Sequence, residues 1–261
     1  MSKVGLIGGS GLDDNLGVTD IKRQKVHTPY GATSDLIITG KLNGKEIVAV
    51  ARHGANHRLM PLRASYRANV WAFKELGVTH ILATTACGSL REKIKPGHLV
   101  FIDQFIDRTT KRDQTFYEGM QVCHIPMAEP FCPKLRKLLC ETAEKLNIPY
   151  HSKGTIVTIE GPRFSTRAES QMFRILGGDV INMSTVPEVV LAREAGICYG
   201  VIAMSTDYDA WREKEEAVTI NIVLETMAKN AANVNRLLQE VVPHIQDWEC
   251  MCKTAYKDAI L

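Results

Sequence analysis

Two carboxylates, Asp207 and Asp209, flank Tyr208 just after Ser205-Thr206, where the apolar run 197–204 ends. That is a costly place for two acids unless a ligand or partner compensates them. If the chain stays extended, the spacing of two sets both on one side. Such a pair suits purine chemistry, in which one carboxylate accepts from an exocyclic amine and a protonated one donates to the adjacent ring nitrogen. A solvated acidic loop is the competing reading. Arg52-His53 offers a forked guanidinium that fits phosphate, against a surface salt bridge as the plainer explanation. Thr84-Thr85-Ala86 supplies hydroxyls and a small residue, and Ser184-Thr185 stand just before Pro187, where the N–H groups of a helix start favour anions. Singly, each of these is more often a cap or a turn.

Gly8-Gly9-Ser10-Gly11 has free backbone N–H groups and the Ser10 hydroxyl, which could hold an oxyanion. Gly9, Gly11 and then Asp14 break the spacing of a dinucleotide-binding turn at its third glycine. Phe164, in Glu160-Gly161-Pro162-Arg163-Phe164-Ser165, could stack on a planar base or simply fill the core. His57 and His124 lie in polar loops with no carboxylate or second histidine at ligand spacing, so no metal ion is expected. Cys250-Met251-Cys252 has the look of a redox pair, but cysteines near a chain end often have no role, and none is assigned.

These side chains matter only if the elements bring them together. Residues 4–7 read as a buried strand ending in the glycine turn, and 36–39 and 46–51 flank Asn43-Gly44, a strong hairpin signal. Residues 62–76 have helical spacing closed by Gly77, and 78–84 form a strand that delivers Thr84 to Gly88 at its end. Further strands are predicted over 98–105, 155–159 and 197–204, and helices over 133–146, 187–195 and 219–241. This alternation predicts one α/β domain: a mixed, largely parallel sheet flanked by helices, with ligands gathered at the carboxyl ends of the strands. The domain is expected to span 1–261, with 243–261 as a C-terminal tail.

A chain of 261 residues that is 45% hydrophobic can bury a large core. The net charge of +3 is spread without blocks of one sign, so a nucleic-acid partner is not expected. The start lacks the regions of a signal peptide, no stretch is long and apolar enough for a membrane span, and the seven cysteines form no disulfide framework. The expected setting is cytoplasmic, with the nucleus as a second compartment.

Taken together, 7–12, 84–90, 102–110, 125–131, 160–170 and 205–211 resemble the methylthioadenosine phosphorylase branch of the trimeric purine nucleoside phosphorylases. The resemblance covers nearly the whole chain, and the series in this order is far more specific than any one motif. It implies that phosphate is held by Ser10, Arg52, His53, Thr85, the backbone of Ala86, and Ser184. It sets Met183 against the ribose, Phe164 and Ser165 near the base, and Asp207, Tyr208 and Asp209 at the purine edge. His57, His124, Ile220 and Val223 would surround the 5′ substituent, with His124 reaching a neighbouring subunit of a homotrimer. Ser10 and Ser184 stand where the family often has threonine, which keeps the hydroxyl and drops a methyl. The implied reaction is phosphorolysis of a nucleoside, with Asp207 as donor or general acid if burial raises its pKa and Asp209 as ionised acceptor. Inorganic phosphate would be a co-substrate and no cofactor would be needed. A phosphorylase of 6-oxopurine nucleosides or methylthioinosine is the alternative.

Overall fold

The computed structural model describes residues 2–9, 16–119, 121–212 and 220–261, without the side chains of 220–225, 227 and 229. Its first strand, β1 (Val4–Gly8), is buried throughout. β2 (Thr19–Gln24) and the short β3 (His27–Thr28) and β4 (Gly31–Ala32) precede β5 (Ile37–Leu42) and β6 (Lys45–Ala51). The last two form the expected hairpin: Asn43 and Gly44 have φ of 48° and 81°, the paired positive values a tight hairpin turn of this kind requires. α1 (Tyr66–Glu75) starts four residues later than its spacing suggested. Pro61 opens a separate 3-10 turn and Ala64 is extended, so the helix cannot begin until Ser65.

β7 (His80–Ser89) is longer than predicted, so Thr84 to Gly88 lie within the strand rather than beyond it. The single strand expected over 98–105 is two, β8 (Leu99–Phe101) and β9 (Gln104–Arg108), broken where Asp103 accepts the Gly154 N–H at 2.9 Å. α2 (Pro133–Lys145), β10 (Tyr150–His151) and β11 (Thr155–Ile159) follow. Next comes a helix the sequence reading missed, α3 (Arg167–Ile175), started by a capping box between Thr166 and Glu169. β12 (Val180–Asn182), α4 (Thr185–Glu194), β13 (Cys198–Asp207) and α5 (Ile220–Val241) complete the order.

The main sheet runs β10, β8, β13, β7, β1, β6, β5, β2, with β12 joining the end of β7 and leading through β11 to β9. The neighbours β13, β7, β1 and β6 are mutually parallel. Their side chains alternate between two cores. Along β13, Tyr199, Val201 and Ala203 pack with Tyr66, Val70 and Phe73 of α1 and Val186 and Val189 of α4. Cys198, Ile202 and Met204 face Leu135 and Leu139 of α2 and Val234, Leu237 and Leu238 of α5. The fold is thus the expected single-domain α/β arrangement, a mostly parallel sheet between helices. No described helix is long and apolar enough to cross a membrane.

Candidate active site

The carboxyl ends of β1, β6, β7 and β13 stand side by side: Gly8 is opposite Ala51, Thr85 opposite Ala203, and Gly88 opposite Asp207 after an irregularity at Ser205. Ligands of open α/β sheets collect at such an edge. Thr85 Oγ1 and Ser184 Oγ lie 3.1 Å apart, although the residues are 99 positions apart in the chain. Between and beneath them, Asn182 Nδ2 donates to Thr85 Oγ1 at 3.1 Å and to Thr185 Oγ1 at 2.7 Å. Thr158 Oγ1 in turn donates to Asn182 Oδ1 at 2.9 Å. The Thr85 hydroxyl also donates to the Ala86 carbonyl at 3.0 Å, turning this stretch of β7 toward the cluster.

Arg52 is 3% exposed, so the surface salt bridge is excluded. It is also not a free fork: Nε and Nη2 donate to the two oxygens of Glu188 at 2.5 and 3.0 Å, and Nη1 to the Thr84 carbonyl at 2.9 Å. The bidentate edge expected for phosphate is occupied by Glu188, leaving an anion only the remaining N–H groups of the two Nη atoms. His53 donates from Nδ1 to the Leu59 carbonyl at 2.9 Å and stacks on His57 with ring centres 4.2 Å apart. Burial, reinforced by the Arg52 guanidinium and His57, pulls its pKa down to about 3. His53 is therefore a neutral ring whose Nε2 is an acceptor, and it adds no positive charge at neutral pH.

At the other side of the edge, the Asp209 N–H donates to Asp207 Oδ1 at 2.7 Å and Thr206 Oγ1 to Asp207 Oδ2 at 2.6 Å. Asp209 has φ of 50°, so the chain curls back instead of staying extended, yet the two acids remain together. Burial pushes the Asp209 carboxyl above the usual range, opposed in part by the Ser170 and Ser165 hydroxyls. Those hydroxyls lie close without completing hydrogen bonds: Asp209 Oδ2, Ser165 Oγ and Ser170 Oγ are all buried and unpartnered among the described residues. Burial thus raises the carboxyl of Asp209, the member of the pair expected to be the ionised acceptor. Gly88 makes room for the pair, since a Cβ there would sit 2.9 Å from Asp207 Oδ1 and 3.1 Å from Asp209 Cβ.

Phe164 is 41% exposed, which removes the core reading and leaves an aromatic face open. The Met183 thioether lies over Gly161, where a Cβ would collide with it. Tyr208 is capped by the Arg212 guanidinium, 3.5 Å from its ring centre, and meets Trp211 edge-on. His57 is exposed, and so is His124, whose backbone N–H donates to the Ala259 carbonyl at 2.8 Å. Ser10 and the side chains of Ile220 and Val223 lie outside the described residues. A cleft of about 430 Å³ lined by Lys25, His27, Asp35 and Arg58 opens elsewhere, and its lining includes neither carboxylate nor Thr85 or Ser184.

Residues 3–243 match the family model described as the Phosphorylase superfamily. The chain belongs to this superfamily. It is 58% identical over 254 residues to the S-methyl-5'-thioadenosine phosphorylase of Danio rerio, covering 95% of this chain and 91% of that one. It is 48% identical over 260 residues to the enzyme of the same name from Thermofilum pendens, covering 99% and 98%. Among solved structures, the methylthioadenosine phosphorylase of Schistosoma mansoni in complex with adenine superposes with a TM-score of 0.94 at 41% identity, covering 99% of each chain. A methylthioadenosine phosphorylase from an antarctic soil metagenomic library gives 0.95 at 40%, covering 100% and 92%.

Several residues of this phosphorylase site escaped the sequence reading. Asn182 orders three hydroxyls, Glu188 engages Arg52 and accepts from Tyr199 Oη at 2.8 Å, and Ser170 faces Asp209. Arg112, whose side chain is 1% exposed, donates to the carbonyls of Met183 at 2.8 Å, Val186 at 2.7 Å and Glu160 at 2.8 Å. It ties the Met183 strand end to the Glu160-Gly161 loop. No local motif marks these residues, because each also has a partner tens of positions away: Thr85 for Asn182, Arg52 for Glu188 and Met183 for Arg112.

Proposed function

We propose that the chain phosphorolyses S-methyl-5'-thioadenosine to adenine and 5-methylthioribose 1-phosphate, a pentosyl transfer that salvages purine and the methylthio group. The observation that carries this reading is the juxtaposition, at one end of the sheet, of a half-buried carboxyl pair and a hydroxyl cluster. The similarity to named methylthioadenosine phosphorylases supports the substrate. In this reading Thr85, Ser184, Ser10, the Ala86 backbone, His53 and the residual N–H groups of Arg52 surround phosphate. His53, neutral with Nε2 as acceptor, takes a hydrogen bond from the phosphate O–H and lends no charge.

Phosphate attacks the anomeric carbon from the face opposite the base while the glycosidic bond loosens. The dianion then stabilises the positive charge that develops on the sugar. Met183 packs against the ribose, and Phe164 covers the base. The leaving adenine gathers negative charge on its five-membered ring, which a proton held by the carboxyl pair relieves while the other oxygens accept from the exocyclic amine. The proton is held within the pair, and burial raises the Asp209 carboxyl above its usual range. No cofactor takes part in this scheme. The partners are the nucleoside and phosphate, and further copies of the chain in a homotrimer in which His124 completes a neighbour's 5′ pocket beside His57, Ile220 and Val223. The cytoplasm is the setting this chemistry suits.

A proton at Asp209 would equally donate to a 6-oxopurine, so one assay decides between the readings. Methylthioadenosine, adenosine, methylthioinosine and inosine are offered side by side with phosphate. Adenine release from methylthioadenosine that depends on phosphate and outpaces both 6-oxopurine substrates is expected; faster turnover of methylthioinosine would overturn the assignment.

A further inference from the structure

Four cysteines converge far from the carboxylates. Cys132 caps the start of α2, Cys198 opens β13, and Cys250 and Cys252 stand in the tail at the 3-10 turn Met251–Lys253. All four sulfurs lie within 4.8 Å of one another. Cys250 Sγ is 3.7 Å from Cys132 Sγ and 3.3 Å from Cys252 Sγ, and none of the four is in a disulfide. Three are buried and Cys250 is half-buried.

A tetrahedron with metal–sulfur bonds of about 2.3 Å has edges of about 3.8 Å. The sulfurs are therefore already near the spacing of a ligand set. We propose that Cys132, Cys198, Cys250 and Cys252 form a structural zinc site. Four thiolates suit a borderline-soft ion and fill its tetrahedral shell, which leaves no position for substrate. Binding converts four thiols to thiolates and releases four protons. Lone thiols pack well as small apolar groups, but apolar packing does not require four sulfurs from three distant segments to meet at one point. The backbone prepares the meeting: the Cys132 N–H donates to the Tyr199 carbonyl at 2.9 Å, beside Cys198, and the Lys253 N–H to the Cys250 carbonyl at 3.0 Å.

The site's consequence is mechanical. Cys198 and Asp207 are the two ends of the ten-residue β13, so the ion sits about 30 Å from the carboxylates at roughly 3.3 Å per residue. It would pin the tail, which after α5 has only 3-10 turns and irregular structure, to the sheet and α2. The same tail holds the loop of Val122 and His124 through Leu261 N–H to Val122 O at 2.9 Å and His124 N–H to Ala259 O.

The test begins with protein purified in reductant, treated with a chelator and then titrated with Zn²⁺ or Co²⁺ alone. One equivalent per chain should bind, with intense thiolate-to-cobalt absorption and a higher melting temperature for the zinc form. Cys250→Ser/Cys252→Ser should lose the uptake, and Cys123→Ser, outside the cluster, should keep it. Turnover should differ less than about twofold between zinc-loaded and metal-free protein at moderate temperature, as a closed site predicts. Absence of stoichiometric uptake by the reduced wild type overturns the proposal. So does finding three free thiols instead of seven in unreduced protein made in a reducing cell, since the cluster would then be two disulfides.

Discussion

Arg52 has five N–H donors and two claims on them. The sequence presented it as a phosphate ligand, and nothing near position 52 announces Glu188, 136 residues further on. Arginine at a strand end was legible because strand ends in this fold class collect ligands; its buried partner was not, because pairing at that distance follows from packing. The expected effect of Arg52→Ala changes accordingly. Removing one member of a buried pair strands the other charge and typically costs 3–5 kcal/mol, on the order seen for such pairs. Urea unfolding should show a loss of that size, reduced when Glu188→Gln is added; unchanged stability would mean that the pair is open to water. His53 gives a second expectation. Its imidazole titrates near 6.5 when unfolded, about the usual value, and near 3 when folded. Between these values the unfolded chain binds a proton that the folded chain does not, so stability rises with pH across the window and falls on acidification. His80, pulled down to about 4 mainly by burial, acts with the same sign. Unfolding midpoints should drop as pH falls from about 6.5, with at most about 5 kcal/mol due to His53, and His53→Gln should flatten the drop. An identical acid slope in the variant would refute the assignment.

At the scale of elements, β7 does the most positioning, bearing Thr85 on one side of the site and Gly88 beneath the acids at the other. Gly88→Ala should press a methyl on Asp207 and Asp209. Overpacking of this kind costs about 1–3 kcal/mol; borne at the transition state, that is a fall of roughly 5- to 160-fold in kcat/KM for the nucleoside. The phosphate KM should stay close to wild type, and an equal rise in it would show that the substitution disturbs the whole strand end. Why β7 was legible only to Thr84 is instructive: Thr84-Thr85-Ala86-Cys87-Gly88 lacks the apolar run that marks a buried strand, and pairing with β12 and β13 carries it onward. β1, the β5–β6 hairpin, α2 and α5 were legible because periodicity, Asn43-Gly44 and Pro133 are local signals. β11 was legible over 155–159, but β12 and the pairing that joins β9, β11 and β12 into a branch have no local signal, while Thr166 and Glu169 did advertise α3 and went unread. The cysteine cluster was illegible for the same reason as Glu188: its members meet only after folding.

For the whole molecule, the question is where the site ends. Val122 is 50% exposed and Leu261 84%, and they are joined by a backbone hydrogen bond beside His124. This is an apolar edge with one imidazole on it, a composition that suits contact with another copy better than open water. The site's own acids lie at the end of β13, whereas the His124 backbone is held by Ala259; the proposed trimer would bring a neighbour's His124 to the substrate. If subunits share the pocket, specific activity should fall on dilution into the dissociated range. His124→Ala should nearly abolish methylthioadenosine cleavage while leaving the phosphate KM unchanged. Mixing His124→Ala with Asp207→Ala, each inactive or nearly so alone, at concentrations where subunits exchange, should restore activity at sites that combine an intact His124 from one chain with an intact Asp207 from the next. With random exchange about a quarter of the sites regain both groups, since each intact residue is present in about half of the subunits. Sedimentation showing a fully active monomer would end the proposal, as would the absence of recovery once exchange has been verified by mass spectrometry of the mixed assemblies.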